Sequence, residues 1–256
     1  METRITIIKS YRSKETLRLM DLQALADTIS TGEYQEQVSE FRRVWPLMTY
    51  ADRRDDGTID GYLNWPKDLP RICFALEQEN RNGERVTRGY NGLVLLEVNN
   101  LTGQDEAEAV RRGAAEMPQT LMAFVGADGQ SVKIVCRGEL LEESGKRKEE
   151  RDLSPDDISL FHENLYERAR LIYNGQLGVT VEKLEPTTQR VCYMSYDPQL
   201  VYNPMATPIY AKAEKPTANI HYQASTMEPT RGQEGTDRYQ SIHTAFEFNQ
   251  IGRAHV

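Results

Sequence analysis

The chain has 256 residues, of which 39% are hydrophobic and 27% charged, with a formal net charge of −8. That mix suits a globular protein with a real core, and the acidic balance excludes broad, nonspecific adhesion to polyanions, although a local basic groove remains open. No apolar run approaches the length of a membrane span, and the N-terminus lacks the apolar segment of a signal peptide, so a soluble, cytoplasmic protein is expected.

In chain order, Thr3 to Ile8 reads as a short strand. Two helical patterns follow, about Leu22–Ile29 and Tyr34–Trp45, the second with Val38, Phe41 and Val44 on one side. Asp55-Asp56-Gly57 and Asp60-Gly61 are turn signals. Leu69–Leu76 reads as a strand, and the polar stretch Glu77–Thr87 as an exposed loop or hairpin. The strongest strand is Gly92–Val98, a short apolar run suited to a central position buried on both faces. A helix over Gln104–Ala115 turns Ala107, Val110 and Ala114 inward. Leu121–Val125 and Val132–Cys136 form a hairpin around Gly126-Ala127-Asp128-Gly129.

Glu139–Asp152 is a charged, solvated connection. Ser154 then caps a helix whose apolar stripe is Ile158, Phe161, Leu165, Ala169 and Ile172. Val179–Leu184 and Arg190–Ser195 read as two further strands. The expected organisation is a globular domain over 1–212, a polar linker over 213–238 and the start of a further region over 239–250. Residues 251–256 match the translation of a common sequencing adapter. They read as a non-native tail, with the natural chain expected to continue past them.

The three cysteines, Cys73, Cys136 and Cys192, sit singly in apolar runs and read as buried reduced thiols in a reducing compartment. His162 lies beside the apolar stripe of its helix and reads as structural or exposed; His221, His243 and His255 fall in weakly ordered sequence. No Ser–His–Asp set, zinc motif, Walker loop or GxGxxG motif is present.

Glu97 and Asn99, two apart at the end of the best strand, share a face, where oxygen ligands can hold Mg²⁺ and substrate phosphates. A strand ending in polar residues at a turn is the plainer alternative. Ser131-Val132-Lys133 opens a strand after a Gly-containing turn and offers a hydroxyl, amides and a cation to phosphate, or is simply an alternating strand. Glu182, Arg190 and Asp197 follow near the end of the globular part; Asp197-Pro198 and Asn203-Pro204 also read as turn chemistry.

Several pieces recur together in order: Lys67-Asp68-Leu69-Pro70, Tyr90 to Asn99, Ala123-Phe124-Val125-Gly126 with Ser131 to Ile134, and Tyr196-Asp197-Pro198 with Tyr202-Asn203-Pro204. Together they resemble the N-terminal domain found with virulence-associated E (VirE) helicases on mobile elements of anaerobic gut bacteria. That family is a branch of the archaeo-eukaryotic primase superfamily. The resemblance covers roughly residues 20–212. It implies an α/β (α+β) fold, an RRM-like primase–polymerase sheet packed with helices. It also implies a DNA-replication function by nucleotidyl transfer, with single-stranded DNA template, nucleoside triphosphates and a helicase as partners, and Mg²⁺ or Mn²⁺ if active. Carried over residue by residue, the first motif's acidic pair falls on Glu97 and Asn99, and the Ser-x-His motif on Ser131-Val132-Lys133. The third acid falls on Glu182, eight positions before Arg190, with Asp197 as a secondary candidate. Glu97 and Glu182 would then carry metal, with Ser131, Lys133 and Arg190 on phosphate.

The departures bear on activity, because Asn stands at the second acidic position and Lys where the motif has His. One carboxylate lost about 4 Å from Mg²⁺ removes up to 8 kcal/mol of attraction at an effective dielectric near 20. The expected function is therefore primase–polymerase-like transfer or a catalytically weakened derivative. The alternative is a non-catalytic single-strand-binding module working with a helicase.

Overall fold

A computed structural model of the chain describes residues 3–11, 14–45, 69–141 and 154–214. The chain divides into two units, 1–215 and 216–256; the second lies wholly outside the described residues, as do the turn signals at 55–61, the connection over 142–152 and the three histidines beyond 214.

The first sheet begins with a hairpin of β1 (Arg4–Tyr11) and β2 (Lys14–Asp21). Sequence reading took only the opening of β1, because β2 alternates half-buried and exposed side chains too weakly to stand out. Asp21 ends β2 and caps α1 (Leu22–Thr31), its carboxylate accepting from the Ala24 amide at 2.7 Å; Gly32, at φ 91°, closes that helix. In α2 (Gln35–Val44) the buried face is Val38 and Phe41, continued by Trp45; Val44, expected inward, is only half-buried.

Leu69–Leu76 is not one strand. A bend at Phe74-Ala75 divides it into β3 (Arg71–Cys73), which pairs with β1, and β4 (Leu76–Arg81), which turns through Asn82-Gly83 into β5 (Glu84–Tyr90). Both turn residues have positive φ, 54° and 86°, the geometry that a tight two-residue hairpin needs. Thr6, fully buried, joins the two sheets: its hydroxyl donates to Leu76 O and accepts from the Gln78 amide.

The second large sheet is the centre of the molecule. β6 (Leu93–Val98), α3 (Gln104–Ala115), β7 (Thr120–Val125), β8 (Val132–Leu140) and α4 (Pro155–Leu177) follow in that order, with β8 paired antiparallel to both β6 and β7. Both helices cover one face, packing Ala107, Val110, Ala114, Phe161, Leu165 and Tyr173 onto Val94, Leu96, Ala123, Ile134 and Cys136. The other face puts Leu93, Leu95, Phe124 and Val135 against the first sheet and α1–α2. The protein is thus a mixed α/β domain of four helices and three sheets among the described residues. Burial on both faces explains the continuous apolar run of β6, each large side chain contributing about 1.5–3 kcal/mol.

Ser154 and Asp157 form a reciprocal capping box at the start of α4. That helix buries Phe161, Leu165 and Ala169 as expected, but Tyr173 rather than Ile172 closes the stripe, and Ile158 is half-buried. Val179–Leu184 is not a strand: it crosses beside β6 as a strap with one ladder-like bond, Glu182 amide to Glu97 carbonyl at 2.8 Å. Of Arg190–Ser195 only β9 (Val191–Tyr193) is a strand, pairing with β3. Two short strands the sequence did not signal, β10 (Val201–Tyr202) and β11 (Ile209–Ala211), join β7 and β8. No helix among the described residues is long and apolar enough to cross a membrane.

Candidate functional site

Glu97 and Lys133 stand directly opposite each other in the β6–β8 ladder. Directly opposite residues point to the same face, here the face away from α3 and α4. Their side chains meet: Lys133 Nζ donates to Glu97 Oε2 at 2.5 Å and to Asn99 Oδ1 at 3.3 Å. Arg190 enters from the segment before β9, with Nη1 at 3.9 Å from Glu97 Oε1 and Nη2 donating to the Glu185 carbonyl. Its Nε is buried and has no partner among the described residues. Burial works against the Lys133 charge, but the attraction of Glu97 and then Asp128 outweighs it and raises the ammonium pKa above the ordinary lysine value.

The turn between β7 and β8 supplies the rest. Ser131 is buried, and its hydroxyl donates to Asp128 Oδ1 at 2.8 Å, which also accepts from the Gln130 amide. Gly126 makes this closeness possible, since a Cβ there would lie 2.1 Å from Ser131 Oγ and 3.4 Å from Lys133 Cε. Arg42 of α2 reaches the same turn and donates to the carbonyls of Gly126 and Tyr196. Three cations from distant parts of the chain (Arg42, Lys133 and Arg190) therefore approach one end of the sheet. Asp128 and Arg42 escaped sequence reading: the first looked like a turn residue only, and the second carried no local signal.

The strap delivers Glu182 next to Glu97. Tyr166 Oη donates to Glu182 O at 2.6 Å and accepts from the Leu184 amide, and Asn174 receives the Val181 amide. Val179, Val181 and Leu184 all pack against the helix-side core, and Glu182 between them is half-buried. Among the described residues the Glu182 carboxylate makes no hydrogen bond or ion pair.

Asp197 is elsewhere. It is buried beside α3, paired with Arg111 at 3.0 Å and accepting from the amide of Val125 on β7, the strand on the far side of β8 from Glu97. His162 is also buried: its Nδ1 bonds the Tyr90 hydroxyl at 3.0 Å, and burial lowers its pKa to about 4 despite a bond to the Thr187 backbone. The cysteines are free and buried; burial pushes Cys136 and Cys192 up to about 12, so both are unreactive thiols.

A divalent metal does not fit this arrangement. The position between the Glu97 and Asn99 oxygens is taken by the Lys133 ammonium, and a dication about 4 Å from it would meet roughly 8 kcal/mol of repulsion at an effective dielectric near 20. Among the described residues no three His, Cys, Asp or Glu side chains are grouped to hold a metal ion.

Fold and site define an α/β domain with a largely buried sheet end where one carboxylate is matched by flanking cations. Residues 65–202, more than half of the chain, match the family model described as BT4734-like, N-terminal domain. The chain belongs to that family. No curated protein and no solved structure matches it.

Proposed function

We propose that this chain is a DNA-replication module of a mobile element, a primase–polymerase derivative weakened in nucleotidyl transfer that still holds phosphates. Its ligands are a single-stranded DNA template and nucleoside triphosphates, and its setting is the cytoplasm, beside a helicase. The resemblance to the domain that accompanies virulence-associated E helicases supports that setting. One observation carries the reading of the site: Glu97 is engaged by Lys133 at 2.5 Å and flanked by Arg190. Nucleotidyl transfer with two metals needs anionic oxygens to offset two dications and to activate the attacking hydroxyl. Here the carboxylate at the end of β6 is already neutralised, and its neighbour is the uncharged Asn99. Cations and buried donors suit phosphate better than metal.

In this reading Lys133 and Arg190 contact phosphate, Ser131 fixes the turn beside it, and Glu97 and Asn99 hold the cations in place. The same ion pair favours a second reading, a purely binding module with no transfer at all. Two assays separate them. Single-stranded DNA binding, followed by fluorescence anisotropy, weakens in Arg190→Ala and falls with rising salt. Primer extension with Mg²⁺ or Mn²⁺ tells the two apart: slow extension that is lost in Glu97→Ala keeps residual transfer and would show that Glu97 still takes metal, and extension absent under either metal leaves the binding module. Failure to bind both DNA and triphosphate refutes the proposal.

A further inference from the structure

We infer that the Lys133 ammonium is a tethered cation standing where a divalent metal would bind, so that this site engages phosphate without metal. The inference deepens the reading above and rests on the same cluster of side chains. Glu97 and Asn99 lie two apart on one strand face, and Lys133 projects from the paired strand between their oxygens, at 2.5 and 3.3 Å. The ladder register makes this possible, because Lys133 stands directly opposite Glu97 on one sheet face, and the opposite charges draw the two side chains together. Lys133 is only 9% exposed, so the ammonium is enclosed by the sheet end rather than swinging in solvent.

Charge points the same way. Around the Glu97 carboxylate stand one ammonium and one guanidinium, against a neutral amide at position 99. The second carboxylate that attracts Lys133, Asp128, is already committed to Ser131 and the Gln130 amide. A dication would therefore find too few free anionic oxygens. A phosphate approaching Glu97 meets two fixed cations, Lys133 and Arg190. Ammonium and guanidinium do together what a metal does in a metal-dependent phosphate site: they neutralise the anion and fix its position. Because they are covalently attached, their supply does not depend on free metal.

The test uses the full chain and Mn²⁺ alone, with free Mn²⁺ followed by electron paramagnetic resonance. Wild type and Glu97→Gln give superimposable titrations, since Glu97 holds no metal in either. The double variant Asn99→Asp, Lys133→Met frees the position and adds a second carboxylate. It gains a site at least about tenfold tighter than any in wild type, and Glu97→Gln added to it removes the gain. A wild-type Mn²⁺ site that Glu97→Gln abolishes overturns the inference. So does a double variant with an unchanged circular dichroism spectrum that gains no site. If the double variant does not fold, the comparison of wild type with Glu97→Gln still decides. Binding of an oligo-dT strand in EDTA supplies a second arm: affinity within about twofold of that with Mg²⁺ supports metal independence, and a requirement for metal overturns it. Absence of oligo-dT binding under both conditions tells against the proposed function and leaves the Mn²⁺ comparison to judge Lys133.

Discussion

Replacing Asp197 by Asn separates a structural from a catalytic acid. The carboxylate is 5% exposed and accepts three bonds: from Arg111 Nη1 at 3.0 Å, from the Val125 amide at 2.9 Å and from the Gln199 amide at 3.0 Å. Asn offers one oxygen, and its amide nitrogen would face a donor. If that oxygen keeps the Oδ1 place, the Val125 amide loses its acceptor, and Arg111, 1% exposed, keeps neutral acceptors but no countercharge, with its Nε already lacking a partner among the described residues. Leaving a buried guanidinium uncompensated costs about 3–5 kcal/mol. For a chain of this size that lowers the melting temperature by roughly 10 °C. Arg111→Met strands the carboxylate instead, but Asp197 keeps two amide donors and the nearby Arg42, so that loss is smaller, about 2 kcal/mol. In the double variant the Asn is nearly tolerated, and the coupling energy is about 2–3 kcal/mol. Urea unfolding of the four proteins by circular dichroism measures this cycle. Single-strand binding by Asp197→Asn, assayed well below its midpoint, stays at the wild-type level. An Asp197→Asn variant within about 1 kcal/mol of wild type, or additive losses, would refute the buried-pair argument.

His162 makes stability acid-sensitive. Its folded pKa is depressed to about 4 by burial, so between the ordinary histidine value and that point the unfolded chain binds the extra proton and stability falls as pH falls. The full effect is about 3 kcal/mol across that window, and denaturant midpoints of His162→Gln show a shallower decline between pH 6.5 and 4. Gly138→Ala places a Cβ 2.3 Å from Leu165 Cδ2, and Leu165 is fully buried with nowhere to retreat. The cost is about 1–3 kcal/mol by thermal unfolding, and adding Leu165→Ala gives a double variant less damaged than the two losses summed.

Where burial is continuous and local, the amino-acid order alone determined the structure. β6, α3, the β7–β8 hairpin and the Ser154-capped α4 all carry periodicities or caps that act within a few residues, and each forms where it reads. The short pieces were illegible for the opposite reason. β2, β10 and β11 are stabilised by partners far along the chain, and the strap over 179–184 is held by Tyr166, Asn174 and Glu97 rather than by its own pattern. At the candidate site, the sequence supplied Glu97, Asn99, Lys133, Glu182 and Arg190 as residue types, and the fold brings their segments to one end of the sheet. Only the ladder register decided that Lys133 meets Glu97, and only the packing of α3 against β7 decided that Asp197 belongs to Arg111. Pairing of charges depends on distances between segments remote in sequence, and no local pattern encodes those distances.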